Sequence, residues 1–342
     1  MNNLIYVSQR LLNSCILIII ISFITFSLMK IDIHIPEHKL NLGFSQISSK
    51  AIHIKTGDPL ADLKLNPSVS EQQIEMESKR LGLDKPFLEQ YFTWFKNLLH
   101  GDLGFTQSNQ KVIDVIKPAL RNTLILNFFA IFFSWALAIP LGIFCAMQQD
   151  KLFDYTTRFL VTVIMAIPSF ILAIFMLLFA LYSGYFPIGG LSSVVFEQMN
   201  LFEKIIDLAK HLFIPVFILS ISSLPGIQRQ MRANLIEVLD KPYVKSARAK
   251  GLSENVVVFK HAVRNAINPL VTLFGFEFAS LFAGSSLIEM VLSYPGLGLS
   301  TLEAARKQDV NLVMTNLLIG SFMLILGNLI ADLLLKKLDP RV

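Results

Sequence analysis

The sequence predicts an all-α polytopic membrane protein: six transmembrane helices, with a long external segment between the first and the second. Three observations carry that expectation. Apolar residues make up 53% of the 342-residue chain and charged residues only 16%, against about 45–50% and about 25% in soluble domains. The mean hydropathy is +0.57. The charges are clustered, which leaves six long runs almost free of them. About 20 such residues, rising ~1.5 Å each, cross a hydrocarbon core of about 30 Å. Lys and Arg gather between alternate runs, as positive juxtamembrane loops do, so the net charge of +5 does not call for nucleic acid. A large soluble protein of buried helices is the weaker reading.

The first run, Leu11 to Met29, follows Arg10. Its length, and the Lys30-Ile31-Asp32 that follows in place of a small-x-small cleavage site, favour a retained helix over a signal peptide. Residues 30–121 form the expected external segment, with twelve Lys/Arg against eleven Asp/Glu. Within it, the loose alternation of Ile31, Ile33 and Ile35, then Ile52 and Ile54, suggests short strands, and Thr56-Gly57-Asp58-Pro59 reads as a turn. Ser70 opens a helix with acids early, Lys79 and Arg80 late, and Gly82 just after. A second, amphipathic helix is expected from about Pro86 to Leu99, with Phe87, Tyr91, Trp94 and Leu98 along one side. Such a helix lies on a bilayer surface or packs on the protein's own spans. Gly101-Asp102-Leu103-Gly104 ends it.

Five further spans follow at Asn122–Met147, Phe159–Tyr182, Leu212–Ile227, Leu270–Leu292 and Asn311–Leu335, making a five-helix core over 122–335 and a tail at 336–342. Pro140, Pro168, Pro215 and Pro225 lie in or near these spans, where neighbouring helices can satisfy the freed carbonyls. Cys15 and Cys145 fall inside apolar runs and behave as small apolar side chains; neither a disulfide framework nor a metal site is indicated.

Six spans place both termini on one side, and the basic residues choose which. With the termini in the cytoplasm, the inner segments hold fourteen Lys/Arg and the two short outer loops hold four; the long 30–121 segment obeys the rule only weakly. The stretch 228–269 is then cytoplasmic. It carries eight Lys/Arg against Glu237, Asp240 and Glu254. Asp240 and Pro242 read as a helix start, Tyr243 to Lys250 as about two turns, and Gly251 as a left-handed stop. Leu252 supplies a hydrophobic contact, and Ser253 with Glu254 restarts a helix. Tyr243, Ala247 and Lys250 are expected on one side, the small Ala247 and Ala249 allow close approach, and Lys245 and Arg248 add charge. A topology anchor needs only scattered Lys/Arg. This pattern exceeds that need and points to a docking surface, with Arg229 and Arg232 assigned to topology alone.

Tyr243-Val-Lys-Ser-Ala-Arg-Ala-Lys-Gly-Leu252, followed by Lys260-His-Ala-Val-Arg-Asn-Ala266, resembles the signature loop of ABC importer permeases, in the subgroup that handles dipeptides, oligopeptides and nickel. The wider superfamily's Glu-Ala-Ala and later Gly correspond to Lys245, Ser246, Ala247 and Gly251. Lys245 departs from the Glu, and Arg264 stands where many relatives have Pro; both departures are usual in the subgroup. Further similarity lies in Leu81–Pro86, Gln90-Tyr91, Gly101–Gly104, Arg121-Asn122-Thr123-Leu124, Ile288-Glu289, Tyr294-Pro295-Gly296-Leu297-Gly298, Asp339-Pro340-Arg341 and Thr56–Pro59. Relatives carry that last motif closer to the first span; here residues 30–55 intervene. The resemblance implies a type I ABC importer permease fold. It implies a coupling helix seated in a groove of a cytoplasmic ATPase, with Tyr243, Lys245, Ala247, Arg248, Ala249, Lys250, Gly251 and Leu252 at the contact. It also implies a second permease subunit in a heterodimer, two ATPases that use ATP and Mg, an external solute-binding protein and a bacterial inner-membrane location.

The chain has no Gly-x-x-x-x-Gly-Lys-Ser/Thr phosphate loop. Hydrolysis is therefore expected on partners: the chain itself is no enzyme and binds no cofactor. The six His are dispersed and show no metal-ligand spacing within a span. Glu277, deep in the fifth span, with Ser280 and Glu289, is the candidate set for a translocation pathway or a helix interface, because a mid-bilayer charge costs roughly 2.5–3.5 kcal/mol and faces a cavity or partner. Asp332 lies nearer a span end. Two rival classes are a secondary transporter that couples an ion gradient through Glu277, for which no repeat is evident, and a non-transporting membrane scaffold.

Overall fold

A computed structural model describes residues 2–29, 32–35, 52–55, 69–80, 84–307 and 309–338. The Thr56–Pro59 turn, the Leu81-Gly82-Leu83 motif and the terminal Asp339-Pro340-Arg341 lie outside the described residues. In chain order the elements are α1 (Asn2–Met29), β1 (Asp32–Ile35), β2 (Ile52–Lys55), α2 (Glu71–Arg80), α3 (Phe87–Leu99), α4 (Val112–Met147), α5 (Leu152–Ala166) and α6 (Ser169–Ser183). Then come α7 (Leu201–Leu239), α8 (Pro242–Ala249), α9 (Glu254–Val256), a π-helical stretch (Val257–Ala262), α10 (Val263–Ala266), α11 (Asn268–Val291), α12 (Leu297–Arg306) and α13 (Val310–Leu338). Among the described residues α4, α7 and Asn311–Ile330 of α13 are long and apolar enough to cross a membrane, and α5 with α6 makes a fourth span if the bent pair counts as one.

The chain forms two compact units. The first comprises Met1–Lys117 with Ser300–Ser321. Its strands β1 and β2 pair antiparallel, Ile33 opposite Ile54, where the isoleucine alternation places them. Helix α2 starts at a reciprocal cap: the Gln73 N–H donates to Ser70 Oγ (3.3 Å) and the Ser70 N–H to Gln73 Oε1 (3.0 Å). Helix α3 turns Tyr91, Trp94 and Phe95 onto Phe26 and Met314. The loop after it is tied down by long-range bonds: the Gln107 N–H donates to Asp309 Oδ2 (2.8 Å) and Asn311 Nδ2 to the Phe105 carbonyl (2.9 Å).

The second unit comprises Pro118–Leu299 with Phe322–Val342. Its two cores lie along α7. One gathers Met231, Leu235, Val244, Ala247, Val257 and Ala262 among others, and the second includes Leu126, Ile218, Ile288 and Tyr294. Helices α4 and α7 approach so closely at Gly142 that a Cβ there would lie 2.8 Å from the Gln228 carbonyl oxygen. Pro140, Pro215 and Pro225 sit inside continuous helices. At Pro168, by contrast, the chain bends by 95° between α5 and α6; the preceding Ile167 is extended, as a residue before proline prefers.

Hydropathy underestimated the helix lengths. The fourth expected span, Leu212–Ile227, is the middle of α7, which runs from Leu201 to Leu239. Its start is fixed by a capping box at Asn200 and Glu203, each side chain bonding the other's backbone N–H at 2.9 Å. Its far end carries Gln228 to Leu239 as continuous helix, so the first part of the basic stretch is not a loop.

Candidate functional site

The docking candidate is built from the turn at Asp240 outward. Lys241 is extended (φ −67°, ψ 145°) and Pro242 takes the first helical position, where its fixed φ suits the helix and its missing N–H loses no bond. Helix α8 runs two turns and stops at Gly251, whose φ of +78° is left-handed; its N–H closes onto the Arg248 carbonyl at 2.9 Å. No atom lies within 4 Å of where a Gly251 Cβ would stand. The demand for glycine is therefore one of backbone conformation, not of space.

The buried side of α8 differs from the expected one. Val244 and Ala247, 0% and 8% exposed, pack with Val257, Val258 and Ala262 of the π-helical stretch. Ala247 is thus committed to the chain's own core and is not offered to a partner. Tyr243 and Lys250, expected beside it, are exposed. The reason is geometric: Val244 at i and Ala247 at i+3 face the core, and Tyr243 falls a third of a turn away. The outer face presents Tyr243, Lys245, Ser246, Arg248, Ala249, Lys250 and, past Gly251, Leu252.

That face is held in place by polar contacts to the following segment. Arg248 grips Glu254 through two bonds, Nη2 to Oε1 at 2.6 Å and Nε to Oε2 at 3.0 Å. The guanidinium holds the Glu254 carboxyl below the usual carboxylate range. Asn265 Nδ2 donates to the Tyr243 hydroxyl (3.0 Å) and to the His261 carbonyl (3.0 Å). Lys245 lies 3.7 Å from Asp240. Lys250, Lys260 and Arg264 form no ion pair among the described residues, which leaves their charge available.

Arg232, assigned from the sequence to topology alone, has a structural task. Its Nε and Nη2 each meet a carboxylate oxygen of Asp154 at 2.6 Å, and Asp154 is fully buried. The Asp150 N–H adds a third bond at 3.1 Å. The pair locks the start of α5 to α7 about two turns before α7 ends at Leu239. Its only sequence signal is an acid in a short loop of mixed charge, which cannot name its partner across 78 residues.

The two glutamates of α11 sit differently from each other. Glu277 is half-buried and bonds Ser223; its Oε1 lies 3.8 Å from where a Gly226 Cβ would stand, which places it between α11 and α7. Glu289 is fully buried. It accepts from Thr123 Oγ1 (2.7 Å) and from the Gly298 N–H (2.6 Å). Around it the Leu297 N–H donates to Thr123 Oγ1 (2.8 Å), Asn122 Nδ2 to the Pro295 carbonyl (2.8 Å) and the Tyr294 hydroxyl to the Asn122 carbonyl (3.1 Å). Two distant motifs, Asn122-Thr123 and Glu289 to Gly298, thus form one knot. A Cβ on Gly296 would stand 2.4 Å from the Glu289 carboxyl carbon. The Ser280 side chain lies outside the described residues.

Residues 138–342 match the family described as "Binding-protein-dependent transport system inner membrane component". Over most of its length the chain is similar to peptide permeases. It is 33% identical to the oligopeptide transport system permease protein AppB of Bacillus subtilis, with 88% of this chain and 94% of that one covered. It is 30% identical to the dipeptide transport system permease protein DppB of Escherichia coli K12, covering 93% and 98%. It is 32% identical to the oligopeptide transport system permease protein OppB of Haemophilus influenzae, covering 85% and 91%. In fold it is similar to a chain of the inward-facing MetNI methionine ABC transporter, with a TM-score of 0.54 and 18% identity over 66% of this chain and 97% of that one.

Proposed function

We propose, because this chain belongs to the binding-protein-dependent transport system inner membrane components, that it is one permease subunit of an ATP-driven importer for peptides. The observation that carries the reading is identity of 30–33% to oligopeptide and dipeptide permeases across nearly the full length of each. In this reading the protein lies in a bacterial inner membrane with six spans and both termini in the cytoplasm. Residues 30–121 are external, and the chain pairs with a second permease subunit to form the pathway. Two cytoplasmic ATPases, which hold the ATP and Mg, dock on 228–269, and an external solute-binding protein delivers the peptide.

The outward face of α8 is the proposed contact, with Tyr243, Lys245, Arg248, Ala249, Lys250 and Leu252 toward the ATPase and Gly251 setting the exit. Val244 and Ala247 act from behind, seating α8 on α7 and the π-helical stretch, so a push on α8 passes into α7 without slack. Glu289 serves a helix interface in this scheme, and Glu277 the α7–α11 contact. Affinity purification of the complex in mild detergent tests the reading. A co-purifying ATPase whose recovery falls on Arg248→Glu supports it, and recovery of an unaltered complex with that variant speaks against the assigned contact.

A further inference from the structure

Helix α3 has three faces, where a helix packed on a soluble core has two. One arc, with Tyr91, Trp94 and Phe95, docks on Phe26 and Met314, and Ser22 Oγ lies 2.8 Å from the Tyr91 hydroxyl. A polar arc carries the exposed Glu89, Thr93, Lys96 and Asn97. Between them runs a third arc of Leu88, Phe92 and Leu99, 57%, 63% and 71% exposed. Covering apolar side chains of this kind is favourable, so a surface that meets only water leaves that stabilisation unrealised.

What covers the third arc is indicated by what it joins. On α1 the side chains Ile16, Ile20, Phe23 and Ile24 share one helical face and are all exposed, as a membrane span's lipid side is. The Phe23 ring meets Phe87 at 5.9 Å and Tyr91 at 5.2 Å, both edge-on, and Tyr91 meets Phe92 at 5.7 Å. Aromatic surface therefore runs unbroken from the lipid side of α1 to the open stripe of α3. The polar border of that stripe is basic: Lys85 pairs with Glu89 at 2.7 Å, and Lys96, one turn after Phe92, has no ion pair among the described residues. A lysine so placed extends its ammonium toward lipid phosphates.

We propose, resting on the six-span reading in which α1 crosses the bilayer, that α3 lies in the surface layer of that bilayer, with Leu88, Phe92 and Leu99 at the headgroup–acyl boundary and Lys96 at the phosphates. The apolar face of such a helix sinks about 5–10 Å into the headgroup–acyl boundary. Seated there and packed on Phe23 and Phe26, α3 sets the depth of the outer end of α1.

The test uses the full importer complex in phospholipid nanodiscs. Nitroxide labels go on Leu88→Cys, Phe92→Cys, Thr93→Cys and Ile20→Cys in a Cys15→Ala, Cys145→Ala background. Collision with oxygen, which favours the bilayer, is compared with collision with a water-soluble nickel chelate. Labels at 88 and 92 are expected to favour oxygen severalfold, at a shallower depth than the label at 20, and the label at 93 to favour nickel. A label at 92 as open to nickel as that at 93 overturns the proposal. So does one sheltered from both, which means a protein covers the stripe. A water-like label at 20 displaces the span itself, and the proposal falls with it, which separates a misplaced α1 from a misplaced α3. Benzoylphenylalanine at position 92, photoactivated in native membranes, gives a second reading: a phospholipid adduct is expected, and an adduct to polypeptide alone contradicts the placement.

Discussion

Gly251 shows how one backbone angle governs where α8 ends. With open space around its missing side chain, substitution there acts only through the left-handed φ of +78°, a strain of about 1–2 kcal/mol for a residue with a Cβ. Gly251→Val is therefore expected to leave the spans folded while α8 loses its stop, lowering transport-coupled ATP hydrolysis; Gly251→Asn, which tolerates that conformation, should recover most of it. Hydrolysis and thermal unfolding measured side by side check this, and unchanged coupling in Gly251→Val contradicts it. The Arg248–Glu254 pair sits half in solvent and is worth about 0.2–1 kcal/mol. Its acid is held below the ordinary value, so its contribution is complete above the unfolded carboxylate pKa of about 4.3 and is lost only as pH falls through the lower folded value. The ATPase profile from about pH 6 to 8 should consequently have the same shape in Glu254→Gln as in the parent; a new inflection in that window would count against the pair as drawn. Asp154 is another matter. It is fully buried, and removing either partner of a buried pair costs about 3–5 kcal/mol, toward the low end here because Arg232 keeps some exposure. Asp154→Asn and Arg232→Met should each lower the unfolding temperature, and the double variant by clearly less than their sum. Strict additivity would show that the pair carries no coupling.

At the scale of elements, two contacts hold segments together, one local and one across 166 residues. Helix α8 rides on Val244, and trimming it to Ala removes buried methyls worth about 2 kcal/mol. Val244→Ala should loosen α8 and weaken coupling, whereas Lys250→Ala, on the outer face, should weaken docking with no change in unfolding temperature. Equal unfolding shifts in the two variants would contradict the division into inner and outer faces. The Glu289 knot ties α4, about three turns in, to the turn after α11. Gly296→Ala drives a methyl into its carboxylate, and overpacking of this kind costs about 1–3 kcal/mol. Shortening the acid in Glu289→Ala, Gly296→Ala should relieve the clash but leave the Gly298 N–H and the O–H donor of Thr123 without their acceptor. The double variant is thus expected above Gly296→Ala yet below the parent in unfolding temperature, and a double variant no better than Gly296→Ala would place the strain elsewhere.

At the scale of the molecule, the membrane class, the helical character and the family were legible in the sequence, because each rests on composition or on contiguous motifs. Span limits were less so. Hydropathy sees Leu212–Ile227, but α7 is set by its Asn200–Glu203 box and runs on to Leu239, since helical hydrogen bonds continue regardless of which residues meet lipid. The stop at Gly251 was readable because left-handed φ has one preferred residue. The inner side of α8 was not: choosing Val244 over Tyr243 depends on which neighbour packs against it, a tertiary fact. Arg232 with Asp154, and Thr123 with Glu289, were invisible for the same reason. The central claim, ATP-driven peptide import coupled through the outer face of α8, is tested most directly in proteoliposomes holding the whole complex, by following peptide uptake with ATP supplied and ion gradients collapsed. Uptake that persists, and that falls in Arg248→Glu by far more than the small unfolding shift expected from losing its pair with Glu254, is the predicted result. Uptake that needs no ATP and stops when the ion gradient is removed would contradict it.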